Sequence, residues 1–117
     1  MSEPIFNEQF LLDLLEDEEL IKEILTEFIE DISSKVEVMN RDSKSKDFES
    51  LIKSSHTLKG SLKQIGAEVA GKVAGEVEDG ARKSELLVCE EKVAQFNIII
   101  EQLCEEVKIY LGDESRI

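Results

Sequence analysis

The sequence has few of the residues that mark several common classes of protein. Its 117 residues include one proline, no tryptophan, two cysteines and one histidine, and only 5% are aromatic. Basic residues are also scarce, because 14 Lys and Arg stand against 27 Asp and Glu and give a formal charge of -13. Such a charge would repel the phosphates of a nucleic acid and an anionic membrane surface. We therefore expect neither of them as a partner.

The chain also lacks a long apolar run and a secretory signal. No uninterrupted apolar run approaches the ~20 residues that span a bilayer, and residues 1–10 show neither a basic start nor an apolar core. We expect a soluble, cytoplasmic protein. Cys89 and Cys104 fit no metal-ligand spacing, and on one helix they would lie ~22 Å apart, too far for a disulfide. Both are predicted to be core thiols in a reducing compartment.

What the sequence does contain favours helices. With 41% apolar and 35% charged residues, the chain is predicted to form one compact domain over residues 1–117. Apolar residues recur at three- and four-residue steps in five segments. The predicted helices are Glu8–Leu15, a long one from Asp17 to about Asn40, Phe48–Gly66, Ala67–Arg82 and Leu86–Tyr110. The regular heptads of the last helix predict an all-α fold, an antiparallel four-helix bundle with a short N-terminal capping helix.

Polar residues and glycines give the predicted boundaries of these helices. The expected N-caps are Asn7, Asp17, Asp47 and Ser84. The stretch 41–47 is polar throughout and is predicted to be a surface loop. Gly66 is expected to end its helix, because glycine accepts a positive φ. The helix that follows has a buried face of small residues, so tertiary packing rather than propensity must hold it.

The single histidine lies in the predicted helix 48–66. At about 100° per residue, His56 lies about 130° from the centre of the apolar face, so the ring should face solvent. Lys59 and Lys63 project on the same side, while Gly60 leaves bare backbone beside the ring. No acid occurs from residue 51 to 67, so we expect a cationic surround. An exposed neutral imidazole is a nucleophile near pH 7, although a solvated helix face would look the same.

The residues around this histidine resemble a known family. The run His56-Thr57-Leu58-Lys59-Gly60-Ser61, followed by Gly66, is similar to the signature of histidine-containing phosphotransfer (HPt) domains, His-x-x-Lys-Gly with a second Gly ten residues after the His. Val77-Glu78 and Arg82 stand where such domains often have Leu-Glu and a basic residue. The resemblance covers about Phe48 to Arg82. The helix after Gly66 departs from the family, with smaller residues than usual.

The resemblance implies a phosphocarrier of a two-component phosphorelay, with no ATP site and no catalysis of its own. His56 would accept a phosphoryl group, through the outer Nε2, from an aspartyl phosphate on one receiver domain and pass it to the Asp of another. The receiver would supply the acidic pocket and Mg²⁺, and the carrier would need no cofactor or metal. The implied partners are response-regulator receiver domains and a hybrid sensor histidine kinase. We expect a monomer, because the histidine face must stay free.

The resemblance also implies roles for the neighbours of the histidine. Lys59 would pair with the phosphoryl oxygens, and Gly60 and Ser61 would keep the approach open. The remaining candidates are Lys63 and Gln64 near the phosphoryl group, and Ile52 and Lys53 on the docking surface. Edge-of-core packing would explain Ile52 equally well.

Three other functions fit part of the pattern. A purely structural interaction module could use the heptads of residues 86–110, since a bundle core and a coiled-coil seam share that spacing. The phosphoaccepting module of a chemotaxis-type kinase would receive its phosphoryl group from ATP through a kinase domain, but the 117 residues include no kinase or dimerisation segment. An enzyme is disfavoured, because paired acids such as Glu90-Glu91 point about 100° apart and no His joins them in a metal set.

Overall fold

A computed structural model describes residues 5–112 as five helices with no strand among them. These are α1 (Glu8–Leu15), α2 (Glu18–Lys44), α3 (Phe48–Gln64), α4 (Glu68–Arg82) and α5 (Leu86–Leu111). Each of the long helices α2 to α5 packs on the next, α5 returns to α2, and α1 packs on α2. The predicted four-helix bundle with a short N-terminal helix is confirmed. Residues 1–4 and 113–117 of the predicted domain lie outside the described residues.

Three of the four predicted side-chain caps are present. The side chains of Asn7, Asp17 and Asp47 accept hydrogen bonds from backbone N–H groups in the first turns of α1, α2 and α3. The prediction for Ser84 is wrong, because Ser84 has φ +54 and closes the end of α4 by donating its N–H to the carbonyl of Ala81. Glu85 is the N-cap residue of α5, without a side-chain cap bond.

The predicted loop over residues 41–47 is wrong for most of its length. Helix α2 continues to Lys44, and both Asp42 and Ser43 are buried. The chain turns only at Lys46, which has φ +58. Polar residues cost a helix less than 1 kcal/mol each, so a helix that already packs on its neighbour can extend through a polar stretch. Polarity alone therefore placed the end of α2 one turn too early.

The core lies between the four long helices, and the two longest supply its large side chains. Phe28 and Ile32 of α2 lie in the same buried cluster as the heptad positions of α5, which include Phe96, Ile100 and Leu103. Cys89 is buried as predicted, whereas Cys104 lies at the edge of the core and is partly exposed. None of the five helices of residues 5–112 is long and apolar enough to cross a membrane.

Helix α4 contributes small side chains and lies close to α3. Its buried apolar residues are Ala70, Val73, Ala74, Val77 and Ala81. A Cβ atom built on Gly75 would lie 3.3 Å from the Cδ atom of Lys59, so the lysine stem crosses the bare backbone of α4. The small face predicted for this helix thus draws it toward α3.

The segment before α1 reaches back to the end of α5. The backbone N–H groups of Ile5 and Phe6 both donate to one carboxylate oxygen of Glu106, at 2.8 and 2.7 Å. At the end of α3, Gly66 has φ +70 as predicted. A Cβ atom there would come within 2.4 Å of the Phe10 ring, so only glycine fits both the backbone and the packing of α1.

Candidate functional site

His56 lies in the middle of α3 on its outer side. The neighbouring Ser55 and Leu58 are buried, whereas the side chain of His56 is 65% exposed. This is the orientation predicted from its position on the helical wheel. A Cβ atom built on Gly60 would meet nothing within 4 Å, so the surface one turn beyond the ring is open. Another protein can therefore reach this imidazole.

A buried carboxylate from α4 holds the ring. The Nδ1 atom of His56 lies 3.2 Å from Oε1 of Glu78, whose side chain is only 6% exposed. The same oxygen lies 3.2 Å from the ammonium of Lys59. The other oxygen, Oε2, accepts two hydrogen bonds from the Arg82 guanidinium, at 2.7 and 3.2 Å. One carboxylate therefore joins three basic side chains.

The surroundings of Glu78 keep it ionised. Burial raises the pKa of this carboxyl, but hydrogen bonds from Arg82, Lys59 and His56 outweigh burial and lower the pKa to about 2. A buried carboxylate is tolerated only when it is paired in this way. At neutral pH, Glu78 is thus a fixed negative charge that can accept hydrogen bonds and cannot donate them.

The sequence analysis named Glu78 only as a match to the family pattern and gave it no role, and the cationic surround expected there left out this carboxylate. The acid comes from α4, 22 residues along the chain from His56, and not from the acid-free stretch of α3. A signal was nonetheless present in the sequence. Glu78 follows the buried Val77 and lies four residues after the buried Ala74, so it falls on the buried face of α4. An acid there, with Arg82 at i+4, indicates a buried ion pair.

The other predicted site residues lie at different places around α3. Ser61 is half-buried and its hydroxyl accepts a hydrogen bond from Lys35 of α2 at 3.0 Å, so it faces away from His56. Lys63 and Gln64 are exposed in the last turn of α3, beyond the Lys59–Glu78 pair. Among the side chains predicted to bind the phosphoryl group, only Lys59 contacts Glu78, the carboxylate that holds the His56 ring.

The two predicted docking residues differ in exposure. Ile52 is partly buried and packs against the core, and Lys53 is exposed along an open groove between α2 and α3. In the part of the chain that the structure describes, no group of three or more His, Cys, Asp or Glu side chains could hold a metal ion.

A four-helix bundle that presents one histidine to solvent, with basic side chains beside it, defines the class of this protein as a helical bundle with an exposed surface histidine. A family model described as the Hpt domain matches residues 23–106. The chain belongs to the Hpt domain family, as its signature indicated. Hpt proteins have a histidine phosphotransfer role in phosphorelays, where they interact with receiver domains and kinases, and they are carriers rather than catalysts in the usual sense.

A solved structure shares the whole fold. The crystal structure of histidine-containing phosphotransfer protein B (HptB) from Pseudomonas aeruginosa PAO1 matches 98% of this chain over 97% of its own length, with a TM-score of 0.73. The sequence identity is 23%, so the likeness shows a common fold. A comparison with curated proteins gives no match.

Proposed function

We propose that this protein carries a phosphoryl group on His56 from the aspartyl phosphate of one receiver domain to the Asp of another, in the cytoplasm. The observation that carries the proposal is the imidazole of His56, which is held at Nδ1 by a buried carboxylate while its side chain is 65% exposed. The implied partners are response-regulator receiver domains and a hybrid sensor histidine kinase, and the carrier acts as a monomer.

The transfer needs no group on the carrier other than the imidazole to form a bond. The lone pair of a ring nitrogen forms a bond to phosphorus, and the bond between phosphorus and the aspartyl oxygen breaks. The electron pair of that broken bond stays on the receiver carboxylate. In the second transfer a carboxylate oxygen of the next receiver attacks phosphorus, and the pair of the N–P bond returns to the ring. The receiver is expected to supply Mg²⁺.

Lys59 is the side chain best placed to balance the charge of the phosphoryl group. Its ammonium has three donors, and the contact with Glu78 uses one of them. Two donors remain for phosphoryl oxygens. Gly60 and Ser61, whose hydroxyl faces Lys35, leave the approach open, and Lys63 and Gln64 are secondary candidates. Ile52 and Lys53 would contact the docked receiver.

Transfer from receiver domains tests this proposal. A panel of receivers from the host is loaded with labelled phosphate from a small-molecule donor and mixed with the wild type or with His56→Gln. We expect acid-labile, base-stable label on the wild type and none on the variant, with equal helical content and melting temperature in both. A folded wild type that no receiver labels would contradict the proposal. Labelling only by a kinase domain with ATP would instead support the chemotaxis-type function.

A further inference from the structure

We propose that the groove between α2 and α5 is a docking site for a basic amphipathic helix of another protein. Helices α2 and α5 pack on each other, as do α3 and α4, so the groove lies on the side of the bundle opposite the pair that holds His56 and Glu78. The residues that line this groove are distinct from those of the histidine site. Binding there and phosphotransfer are therefore separate properties of the protein.

The floor of the groove is apolar. The groove has a volume of about 380 Å³, and its floor consists of Ile29, Ile32, Val36, Ile100 and Cys104. Three of these side chains are partly exposed although they pack against the core, namely Ile29, Val36 and Cys104. From Ile29 to Val36 the floor extends about 10 Å along α2, which is about two helical turns. This length suits an amphipathic helix, which anchors in such a groove through side chains at i, i+3, i+4 and i+7.

Apolar surface continues from the groove along the outer side of α5. Leu87, Ile98 and Ile109 are each more than half exposed and follow one another at intervals of 11 residues. Eleven residues make three helical turns plus about 20°, so the three side chains form one stripe. Ile98 lies three residues before Glu101, so the stripe borders the α5 side of the groove. A row of exposed apolar residues beside a groove is typical of an interaction surface.

The charges around the groove favour a basic occupant. Glu37 of α2 and Glu101 of α5 line its two sides, both are exposed, and neither has an ion-pair partner among residues 5–112. Glu30 lies two turns before Glu37, and Glu105 lies one turn after Glu101. Lys108 is the one base among the described residues that line the groove. Lysine or arginine on the polar edges of a docked helix would meet these carboxylates, which also steer a basic partner toward this face.

Charge also argues against a second copy of this chain as the occupant. A dimer through this face would bring Glu37 and Glu101 of one chain close to the same residues of the other. Each of the two molecules carries a formal charge of -13, and like charges opposite each other disfavour an interface. An acidic helix is disfavoured for the same reason.

Binding of a model helix is the first test. The probe is a fluorescent synthetic helix of leucine and lysine, about five turns long, with its leucines at i, i+3, i+4 and i+7. One comparator carries glutamate in place of lysine, and the other has the composition of the probe in scrambled order. By fluorescence anisotropy, we expect the wild type to bind the basic helix at least roughly 10-fold more tightly than either comparator. Absence of binding, or equal binding of the basic and acidic helices, would overturn the proposal.

The thiol of Cys104 reports where the helix binds. Cys104 lines the groove and is partly exposed, whereas Cys89 is buried, so a soluble alkylating reagent should react with Cys104 first. We expect the basic helix to slow this reaction severalfold and the acidic helix to leave it unchanged, with mass spectrometry identifying the modified cysteine. Binding of the basic helix without protection of Cys104 would place the helix elsewhere and refute the groove as its site.

A matched pair of double variants tests the charges of the rim. Glu37→Lys with Glu101→Lys reverses both rim charges, and Glu23→Lys with Glu27→Lys makes the same change in net charge on α2, where Glu27 borders the cleft toward α3. At equal helical content, the first pair should bind the basic helix roughly 10-fold more weakly than the second. Equal weakening would mean general attraction to an acidic chain and would contradict the proposal. Protection of Cys104 in the wild type decides the point if the first double variant does not fold.

The oligomeric state of the free protein completes the test. We expect a monomer in sedimentation equilibrium, with Cys104 reactive until the basic helix is added. A dimer in which Cys104 is protected would show that a second copy occupies the groove and would overturn the proposal. These measurements do not involve transfer to His56, so the docking site and the proposed relay function can fail separately.

Discussion

The two halves of the bundle are built from different kinds of side chain. Between α2 and α5 the core is made of large apolar residues such as Phe28, Phe96 and Leu103, all buried. Between α3 and α4, the leucines of α3 pack against alanine, valine and glycine of α4, and the layer includes the buried Glu78. The first half buries much apolar area, and the second brings two backbones and several charges close together. Stability and chemistry therefore depend on different helices.

The small side chains of α4 are a requirement of the site. Each glycine inside a helix costs about 1 kcal/mol relative to alanine, yet Gly75 gives the stem of Lys59 room to cross α4. A large residue there would push the ammonium away from Glu78. On α5, by contrast, each fully buried Leu, Ile or Phe contributes about 1.5–3 kcal/mol. The burial of large side chains on the long helices offsets the stability that the glycines of α4 cost.

The largest expected effect is the loss of a large side chain from α5. Phe96 is fully buried, so Phe96→Ala should lower the free energy of unfolding by about 3–5 kcal/mol. Urea denaturation measures the loss. His56 in the protein that remains folded should accept phosphate at the wild-type rate, because the site lies between α3 and α4. Ile98→Ala is the control, since Ile98 is 72% exposed and should cost less than about 0.5 kcal/mol. Slower transfer to folded Phe96→Ala would show that the two halves are not separate.

A smaller effect on the free energy of unfolding is expected from lowering the pH, which acts on the half of the bundle formed by α3 and α4. The pKa of Glu78 is lowered to about 2 in the folded protein, so its ionisation stabilises the fold above the unfolded value of 4.5 and stops doing so as pH falls toward 2. We expect the stability advantage of Glu78 over Glu78→Gln to shrink by about 1–3 kcal/mol over that range. Urea unfolding at several pH values measures this change in the stability advantage. Both proteins also carry His56→Gln, so that the imidazole does not contribute to the pH dependence.

The control compares the stability of the proteins with and without Glu76→Gln over the same pH range. Glu76 makes one half-exposed ion pair with Lys92, so its advantage should change by less than about 1 kcal/mol. An advantage of Glu78 that stays constant or grows as pH falls would contradict the ion pairs described at the site.

The smallest expected change in stability comes from Gly60→Ala, which should affect the free energy of unfolding and the transfer rate in opposite directions. Gly60→Ala should raise the free energy of unfolding by up to about 1 kcal/mol, because alanine favours the helix and its Cβ atom would meet nothing. The same methyl group narrows the approach of a receiver to His56, so transfer should slow. Gly71→Ala is the control on α4, where the nearest atom is Leu62 Cβ at 3.8 Å. It should gain stability at an unchanged transfer rate. Equal transfer by Gly60→Ala and the wild type would contradict the role of Gly60.

Local sequence patterns predicted most of the fold. The helices follow from three- and four-residue steps, and the starts of α1, α2 and α3 follow from the caps Asn7, Asp17 and Asp47. The end of α3 follows from Gly66. These features depend on neighbours within one or two turns of the chain, which a sequence displays directly. The exposure of His56 was predictable for the same reason.

Two of the three missed features depend on how the helices pack, and the third is a backbone turn. Asp42 is buried because α2 continues past its apolar segment, and Ser84 closes α4 instead of capping α5. Glu78 meets His56 only because α4 lies close to α3. In each case the residue is polar, and its burial or its hydrogen bond differs from what the pattern of neighbouring residues indicates. Composition assigns such residues to the surface, and only the packed structure identifies them as buried or paired.

The contact between Glu106 and the segment before α1 has a consequence for the order of folding. It joins residues 100 and 101 positions apart, whereas His56 and Glu78 are 22 positions apart on consecutive helices. Contacts between near neighbours in sequence close smaller loops and form faster. We therefore expect the α3–α4 hairpin to bring the reactive ring and its carboxylate together first. On the ribosome that pairing can begin before α5 has been synthesised, while the two ends of the chain can meet only after it.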